Sequence, residues 1–385
     1  MHYLYLKQAG KRILMLAAAL VLVAAPLLTS ADEASDYEIW ALDQGTHKVH
    51  IFDANLEEIA SIDLGAEGMR VPHMVEFSSD YRYAAIANVG SGNVAIIRTE
   101  DRHVVSVVDT GPRSHMAGFS PDDSVIHVDV IGSPDKERDG QFVEITADLD
   151  NERFQVSRRL TIAEDPLFRE NADRFRDVAA ICHQYNSDGS RAFVTLGPGL
   201  DDGGLVVVDT AGMKLERVWG PDDLAVNCGT MLTPDGRHMM LNGGGHDVGV
   251  WHAVDVDTLE LTRSEESSGG IDAHGVRNLP NGEEIWMVNR GTSDGIVIDA
   301  NSLQKKARIP DTGQTPDILD FSPDSRYAFV TLRGPNPVSM PHMAKGDTPG
   351  FSVIDVRTRE LVKIVEPAKG NENSDFHGIG VRVLD

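Results

Sequence analysis

Short apolar runs bounded by polar turns follow one another along almost the whole chain. They are rich in β-branched residues, as in segments 94–97, 205–209, 296–299 and 351–355. Runs of this length and composition predict β-strands. Outside the N-terminal region only segment 166–177 hints at a helical period, so the sequence predicts an all-β fold.

A longer pattern groups these strands into repeats. In segment 71–80 a histidine stands four positions before an aromatic residue, and a polar turn follows. Variants of the pattern, most with a turn of the Ser-Pro-Asp type, begin at His73, His115, Ile181, Cys228, His274, Asp317 and His377. Four of the six steps between them are 42 to 47 residues, and the other two contain insertions around 163–177 and 336–350. Such a period is typical of a four-stranded propeller blade.

The two ends of the chain predict how the propeller closes. The last repeat has room for only its first strand, whereas segments 37–43, 48–53 and 58–63 supply three strands without an opening repeat. Together they make one blade, which leaves no free sheet edge. The prediction is a seven-bladed β-propeller occupying residues 32–385 as a single domain.

Several repeats resemble the seven-bladed propellers with YVTN-type repeats. The resemblance rests on the turns followed by segments 326–331 (Arg-Tyr-Ala-Phe-Val-Thr) and 191–195 (Arg-Ala-Phe-Val-Thr), and on the Val-Ile-Asp-x-x-Thr run at 353–358. It implies the propeller fold over nearly the whole chain after the first 31 residues. It implies no particular function, because propellers host unrelated activities.

The registered positions predict a ring of metal-capable side chains. The first strand of each blade lines the central channel, so residues at one register meet around the axis. We expect the candidate ligands to be His73, His115, His183, Cys228, His274, Asp317 and His377. His183 replaces Ile181 because residues two apart in a strand share a face. Met74 and Met116 should point away from the channel into the core. Imidazole, thiolate and carboxylate suit zinc, copper, nickel or iron, and a water-filled channel without metal is the alternative.

The ring also resembles the copper sites of two propeller enzyme groups, nitrous oxide reductase and thiocyanate dehydrogenase. That resemblance implies a copper-dependent oxidoreductase acting on a small molecule or anion. This chain shows no C-terminal cupredoxin domain, so we expect its electrons to pass to a separate periplasmic carrier. The other hypothesis is a non-catalytic propeller that binds a metal, a haem-like tetrapyrrole or a partner protein. His246, Met340, His342 and Met343 lie on long loops that could reach the channel mouth.

Net charge and the N-terminal region indicate where the protein is located and which partners it can have. Lys7, Lys11 and Arg12 precede an apolar run and then small residues, so segment 1–31 is predicted to be a secretory signal peptide, with a membrane anchor as the alternative. The protein should then be periplasmic or secreted and leave the membrane after cleavage. Its net charge of −25 excludes nucleic acid as a partner. Cys182 and Cys228, the two cysteines, sit at different registers, and a disulfide between them is left open.

Overall fold

The computed structural model describes residues 36–340 and 343–384, and they form a propeller of seven four-stranded antiparallel sheets. The predicted signal peptide, residues 1–31, lies outside the described residues. No helix within the described part of the chain is long and apolar enough to cross a membrane. The predicted all-β propeller is confirmed.

The strands follow the chain in order. The first three are β1 (Tyr37–Asp43), β2 (Lys48–Asp53) and β3 (Glu58–Asp63). Blade 1 holds β4 (Pro72–Phe77), β5 (Tyr83–Asn88), β6 (Asn93–Arg98) and β7 (His103–Asp109). Blade 2 holds β8 (Ser114–Phe119), β9 (Val125–Val130), β10 (Gln141–Asp148) and β11 (Arg153–Thr161). Blade 3 holds β12 (Ala179–Tyr185), β13 (Arg191–Gly197), β14 (Gly204–Asp209) and β15 (Lys214–Trp219).

The remaining blades repeat this order. Blade 4 holds β16 (Thr230–Leu232), β17 (His238–Gly244), β18 (Gly249–Asp255) and β19 (Leu261–Ser267). Blade 5 holds β20 (Ala273–Asn278), β21 (Glu284–Asn289), β22 (Asp294–Asp299) and β23 (Lys305–Ile309). Blade 6 holds β24 (Pro316–Phe321), β25 (Tyr327–Leu332), β26 (Gly350–Asp355) and β27 (Glu360–Val365), and the last strand is β28 (Phe376–Val383).

Within residues 36–340 and 343–384, helical structure is confined to short turns. One α-helical turn, α1 (Pro166–Arg169), lies in the insertion that precedes blade 3. Three 3₁₀ turns cover Leu64–Glu67, Ile162–Glu164 and Ala172–Arg174. Phe168 of α1 is fully buried with Phe175 in the core shared by blades 2 and 3, so this insertion caps the outer edge of a blade.

The Ser-Pro-Asp turns explain why the first two strands of a blade connect so regularly. In blade 6, Ser322 Oγ donates to Asp324 Oδ1 at 2.6 Å and accepts from the backbone N–H of Tyr327 at 2.9 Å. Ser120 in blade 2 and Thr233 in blade 4 bond in the same way. The hydroxyl thus satisfies the first donor of the second strand and fixes the turn.

The seventh blade closes as predicted. Strand β28 pairs with β1 in antiparallel register, with Ile39 opposite Val381. Phe376, Ile379 and Val381 are buried against the aromatic cluster that also contains Phe329 and Phe351. Both termini of the propeller are therefore held in one sheet.

Deleting residues 375–385 should destabilise the whole domain. The deletion removes three buried apolar side chains, each contributing about 1.5–3 kcal/mol, and exposes the edge of β1. We expect the urea midpoint of the cooperative transition to fall by the equivalent of at least about 5 kcal/mol. A shorter deletion of residues 384–385 is the control, and an unchanged midpoint in the longer deletion would argue against this closure.

Candidate metal centre

In six of the seven blades, the residue at which the repeat begins lies in a β-bulge of the innermost strand. His73 and His115 are extra residues with no partner on the next strand. In blades 3, 5, 6 and 7 the unpaired positions are 181–182, 274–275, 317–318 and 377–378. A bulge of this kind changes the direction of a side chain from that given by regular alternation, and here the side chains at the bulges point toward the channel.

The centre of the ring is a contact between two imidazoles. Nε2 of His73 lies 3.0 Å from Nε2 of His115. The ring of His377 stacks on that of His73 with centroids 3.5 Å apart. His73 and His377 are almost fully buried, so bulk water does not hydrogen-bond to their ring nitrogens. The structure therefore brings three of the predicted histidines into direct contact.

A chain of hydrogen bonds sets the tautomer of His73. Gln44 Nε2 donates to Asp375 Oδ2 at 2.9 Å, and Gln44 Oε1 lies 2.9 Å from Nδ1 of His73. Because the carboxylate only accepts, the amide must present its oxygen to His73, whose Nδ1 carries the proton. Nε2 of His73 then carries a lone pair that is directed at His115.

His377 is fixed in the same tautomer by the backbone. Its Nδ1 lies 3.0 Å from the carbonyl oxygen of His73, which can only accept. Its Nε2 therefore carries a lone pair, and Asp317 Oδ2 lies 3.8 Å from it, beyond hydrogen-bond distance. His377 thus also presents a lone pair to the channel.

His274 forms the opposite side of the ring with two other predicted residues. Its Nε2 lies 3.1 Å from Asp317 Oδ1, and its Nδ1 lies 3.1 Å from Cys228 Sγ. The Asp317 carboxylate thus faces Nε2 and the Cys228 thiol faces Nδ1, so both ring nitrogens of His274 have a polar neighbour. Asp317 orients His274 as carboxylates orient metal-binding histidines in many proteins.

Two buried arginines, which sequence reasoning missed, hold Asp317 in place. Arg333 contacts Asp317 Oδ2 at 2.7 Å and Asp375 Oδ1 at 2.7 Å, and Arg290 contacts Asp317 Oδ1 at 3.0 Å. Both carboxylate oxygens of Asp317 are engaged by these arginines, and Asp317 also forms, with His274 and His377, a group whose donor atoms lie close enough together to hold a metal ion. Arg290 and Arg333 each directly follow the second strand of a blade and are 43 residues apart, the same step as His274 to Asp317. That spacing is the signal that could have found them.

The ring histidines are neutral at pH 7. Burial lowers the pKa of His115 and of His274 to about 4, with Arg290 adding to the shift at His274. Burial also lowers the pKa values of His73 and His377 well below the ordinary range, with neighbouring histidines and Arg333 contributing to both shifts. Neutral imidazole is the form that binds metal, so the site is prepared for a cation without losing protons to solvent first.

His183 is separated from the ring. Its Nδ1 bonds to Asp129 Oδ2 at 2.6 Å, and its ring packs between blades beside Phe142 and Tyr185. The extra residue in the β12 bulge reverses the alternation, so Ile181 and Cys182 face the channel and His183 faces the neighbouring blade. Its position does not support the predicted role of His183 as a ligand.

The same bulges overturn the expectation for two methionines. Met74 and Met116 line a cavity of about 50 Å³ beside the ring instead of pointing away from the channel. Cys182 and Cys228 line it too, and both are free thiols, so the disulfide left open by the sequence is absent. His115, His274 and His377 face this cavity from the ring side.

The expectation that four loop residues reach the channel mouth stays a prediction. His342 lies outside the described residues. His246, Met340 and Met343 belong to loops and are not among the residues that line the cavity beside the ring.

Comparison with solved structures supports the fold. The periplasmic gluconolactonase PpgL of Pseudomonas aeruginosa is similar with a TM-score of 0.68 and 15% identity, over 91% of this chain and 100% of that chain. Hydrazine synthase of Kuenenia stuttgartiensis is similar with a TM-score of 0.60 and 13% identity, over 84% and 91% of the two chains.

A third structure, the dihydro-heme d1 dehydrogenase NirN in complex with DHE, matches with a TM-score of 0.55 and 15% identity, over 89% of this chain and 74% of that chain. No family model and no curated protein matches the sequence. The structural similarity over most of each chain establishes the propeller architecture. Identities this low do not establish the chemistry, which must be argued from the site itself.

Proposed function

We propose that this protein is a periplasmic copper-binding propeller whose ring of histidines serves an oxidoreductase reaction on a small molecule or anion. The observation that supports it most strongly is the 3.0 Å contact between the Nε2 atoms of His73 and His115. Two nitrogens bonded to one metal at about 2.0–2.1 Å lie about 3.0–3.4 Å apart in four-coordinate geometry. The same separation suits the N–H···N hydrogen bond between the two rings. Two groups have donor atoms close enough together to share an ion: His274 with Asp317 and His377, and His274 with Cys228 and Asp272.

His115 would have to change tautomer to hold a metal through Nε2. Because His73 Nε2 carries a lone pair, the proton in the 3.0 Å contact belongs to His115 Nε2 when no cation is present. In the other tautomer Nδ1, which lies 3.9 Å from Cys182 Sγ, would carry that proton. His115 could then hold a metal through Nε2.

The residues that would hold the metal are His73, His115 and His377 through Nε2, and His274 with Cys228 on the opposite side. Copper held by these groups would supply one-electron redox chemistry. Asp317 would orient His274, and Gln44 would keep His73 in the tautomer that binds. Arg290 and Arg333 would prevent Asp317 from accepting a proton, because two cations stabilise its charged form.

The two other hypotheses are less well supported by the geometry. A tetrapyrrole needs a pocket of roughly 300–1,000 Å³, whereas the cavity beside the ring measures about 50 Å³. A channel filled with water is at odds with the direct imidazole contacts and the apolar walls. Electron transfer to a separate periplasmic carrier is also part of the proposal.

Single alanine variants test the proposal. Protein treated with chelator, reloaded with copper and dialysed should retain metal in the wild type, whereas His73→Ala, His115→Ala, His274→Ala and His377→Ala should each lose most of it. The control is His103→Ala, on the exposed outer strand β7. Metal content is read by mass spectrometry. Ring variants with the copper stoichiometry of the wild type would refute the proposal.

A further inference from the structure

The sulfur atoms of this chain are concentrated at one place. Both cysteines and three methionines line the cavity beside the ring, namely Met74, Met116, Cys182, Cys228 and Met231. The chain has only 2 Cys and 12 Met in 385 residues, so this small cavity gathers an unusual share of them. Packing alone would be served equally well by leucine or isoleucine.

Three of these sulfur-bearing residues are in mutual proximity. Met74, Met116 and Cys182 belong to one cluster of buried residues, together with Ala179 and Ile181. Each of the three follows or belongs to a bulge of an innermost strand, in blades 1, 2 and 3. The bulges that aim the ring histidines therefore also aim these sulfurs at a common space.

His115 adds a nitrogen to the cluster. Its Nδ1 lies 3.9 Å from Cys182 Sγ. With Nε2 donating its proton to His73, Nδ1 carries the lone pair and faces the sulfur. A metal bonded to sulfur at about 2.3 Å and to nitrogen at about 2.1 Å would subtend roughly 125° at this separation, near the angle of a trigonal site.

We propose that Cys182, Met74 and Met116, with Nδ1 of His115, form a second metal site that takes a soft monovalent ion, Cu(I) or Ag(I). Thiolate and thioether ligands select Cu(I) over harder ions. One thiolate balances one monovalent charge, so the filled site is neutral in an apolar cavity, whereas a divalent ion would leave a net charge there.

Binding changes no oxidation state. The ion forms a bond to Cys182 Sγ, and the thiol proton leaves to solvent. The site uses Nδ1 of His115, the nitrogen opposite to the one in the ring contact, so it takes its ion while His115 Nε2 keeps its proton and holds no metal.

Silver binding tests the inference. Ag(I) is redox-inert, and its affinity can be measured by competition with a chromophoric chelator in the His73→Ala background, where the ring contact is broken. This background protein should retain one Ag(I), and adding Met74→Leu with Met116→Leu should weaken binding at least about tenfold, as should adding Cys182→Ser. Leucine preserves volume, so circular dichroism should be unchanged.

The matched control is Met239→Leu with Met240→Leu, two buried methionines that do not line the cavity. These substitutions should leave the silver affinity unchanged. Equal affinity in the cavity and control variants, or no silver bound by the His73→Ala protein, would overturn the inference. If ring variants keep their copper while the cavity variants lose silver, the proposed function fails and this inference stands. If the ring variants lose their copper while the cavity variants keep the silver affinity of the background protein, this inference fails and the proposed function stands.

Discussion

Replacing Arg333 by methionine should lower the free energy of unfolding by about 3–5 kcal/mol, because it removes the cation that pairs with buried Asp375 and one of the two that pair with buried Asp317. Arg333 is fully buried and bonds to both Asp317 and Asp375, which are also fully buried. The substitution keeps the aliphatic stem, so the expected loss comes from the charge. Urea denaturation of metal-free protein measures it.

The control is Arg82→Met. Arg82 also pairs with a carboxylate, Asp80 at 2.5 Å, but its side chain is 55% exposed. Exposed ion pairs contribute about 0–1 kcal/mol, so this variant should be close to wild type. A similar small effect at Arg333 would mean that the buried network does not hold the site together. A large effect would identify that network as the scaffold of the ring.

Acidification should destabilise the metal-free protein from pH 6.5 downwards. The folded-state pKa values of His115 and His274 are about 4, below the ordinary value of 6.5. Between these values the unfolded chain binds more protons than the folded protein, so stability falls as pH falls, and it is fully present above pH 6.5. Each of the two histidines can contribute at most about 3 kcal/mol to this loss.

The interval from pH 6.5 to about 5 separates this effect from carboxylate titration, which begins lower. Denaturant midpoints measured across that interval should decline in the metal-free protein and decline less when copper occupies the ring, since bound metal excludes the proton. The variant with His115→Asn and His274→Asn should show a shallower dependence on pH. Stability that stays constant across the interval in the metal-free wild type would contradict the buried, neutral ring.

The sequence predicted the architecture because propeller repeats are local. Each blade shows its own strands and turn, and the register of the repeat placed His73, His115, Cys228, His274 and His377 around one channel. Asp317 also lies beside the ring, although its engagement by two arginines could not be read from its own repeat. The blade closed by both termini followed from counting strands, because a propeller must have no open edge.

What the sequence did not predict depends on bulges. Alternation along a strand assigns faces correctly only while the register is unbroken, and one extra residue exchanges them. This is why His183 turned out to face blade 2, and why Met74 and Met116 turned out to line the cavity. Bulges depend on the pairing of two strands, so no single segment shows them.

Anomalous diffraction at the copper absorption edge, from crystals of the copper-loaded protein, tests the central claim most directly. We expect a peak within bonding distance of both His73 Nε2 and His115 Nε2, the atoms that lie 3.0 Å apart. The peak should disappear in His73→Ala. Copper found only at surface sites, with no peak within bonding distance of any ring imidazole, would contradict the account.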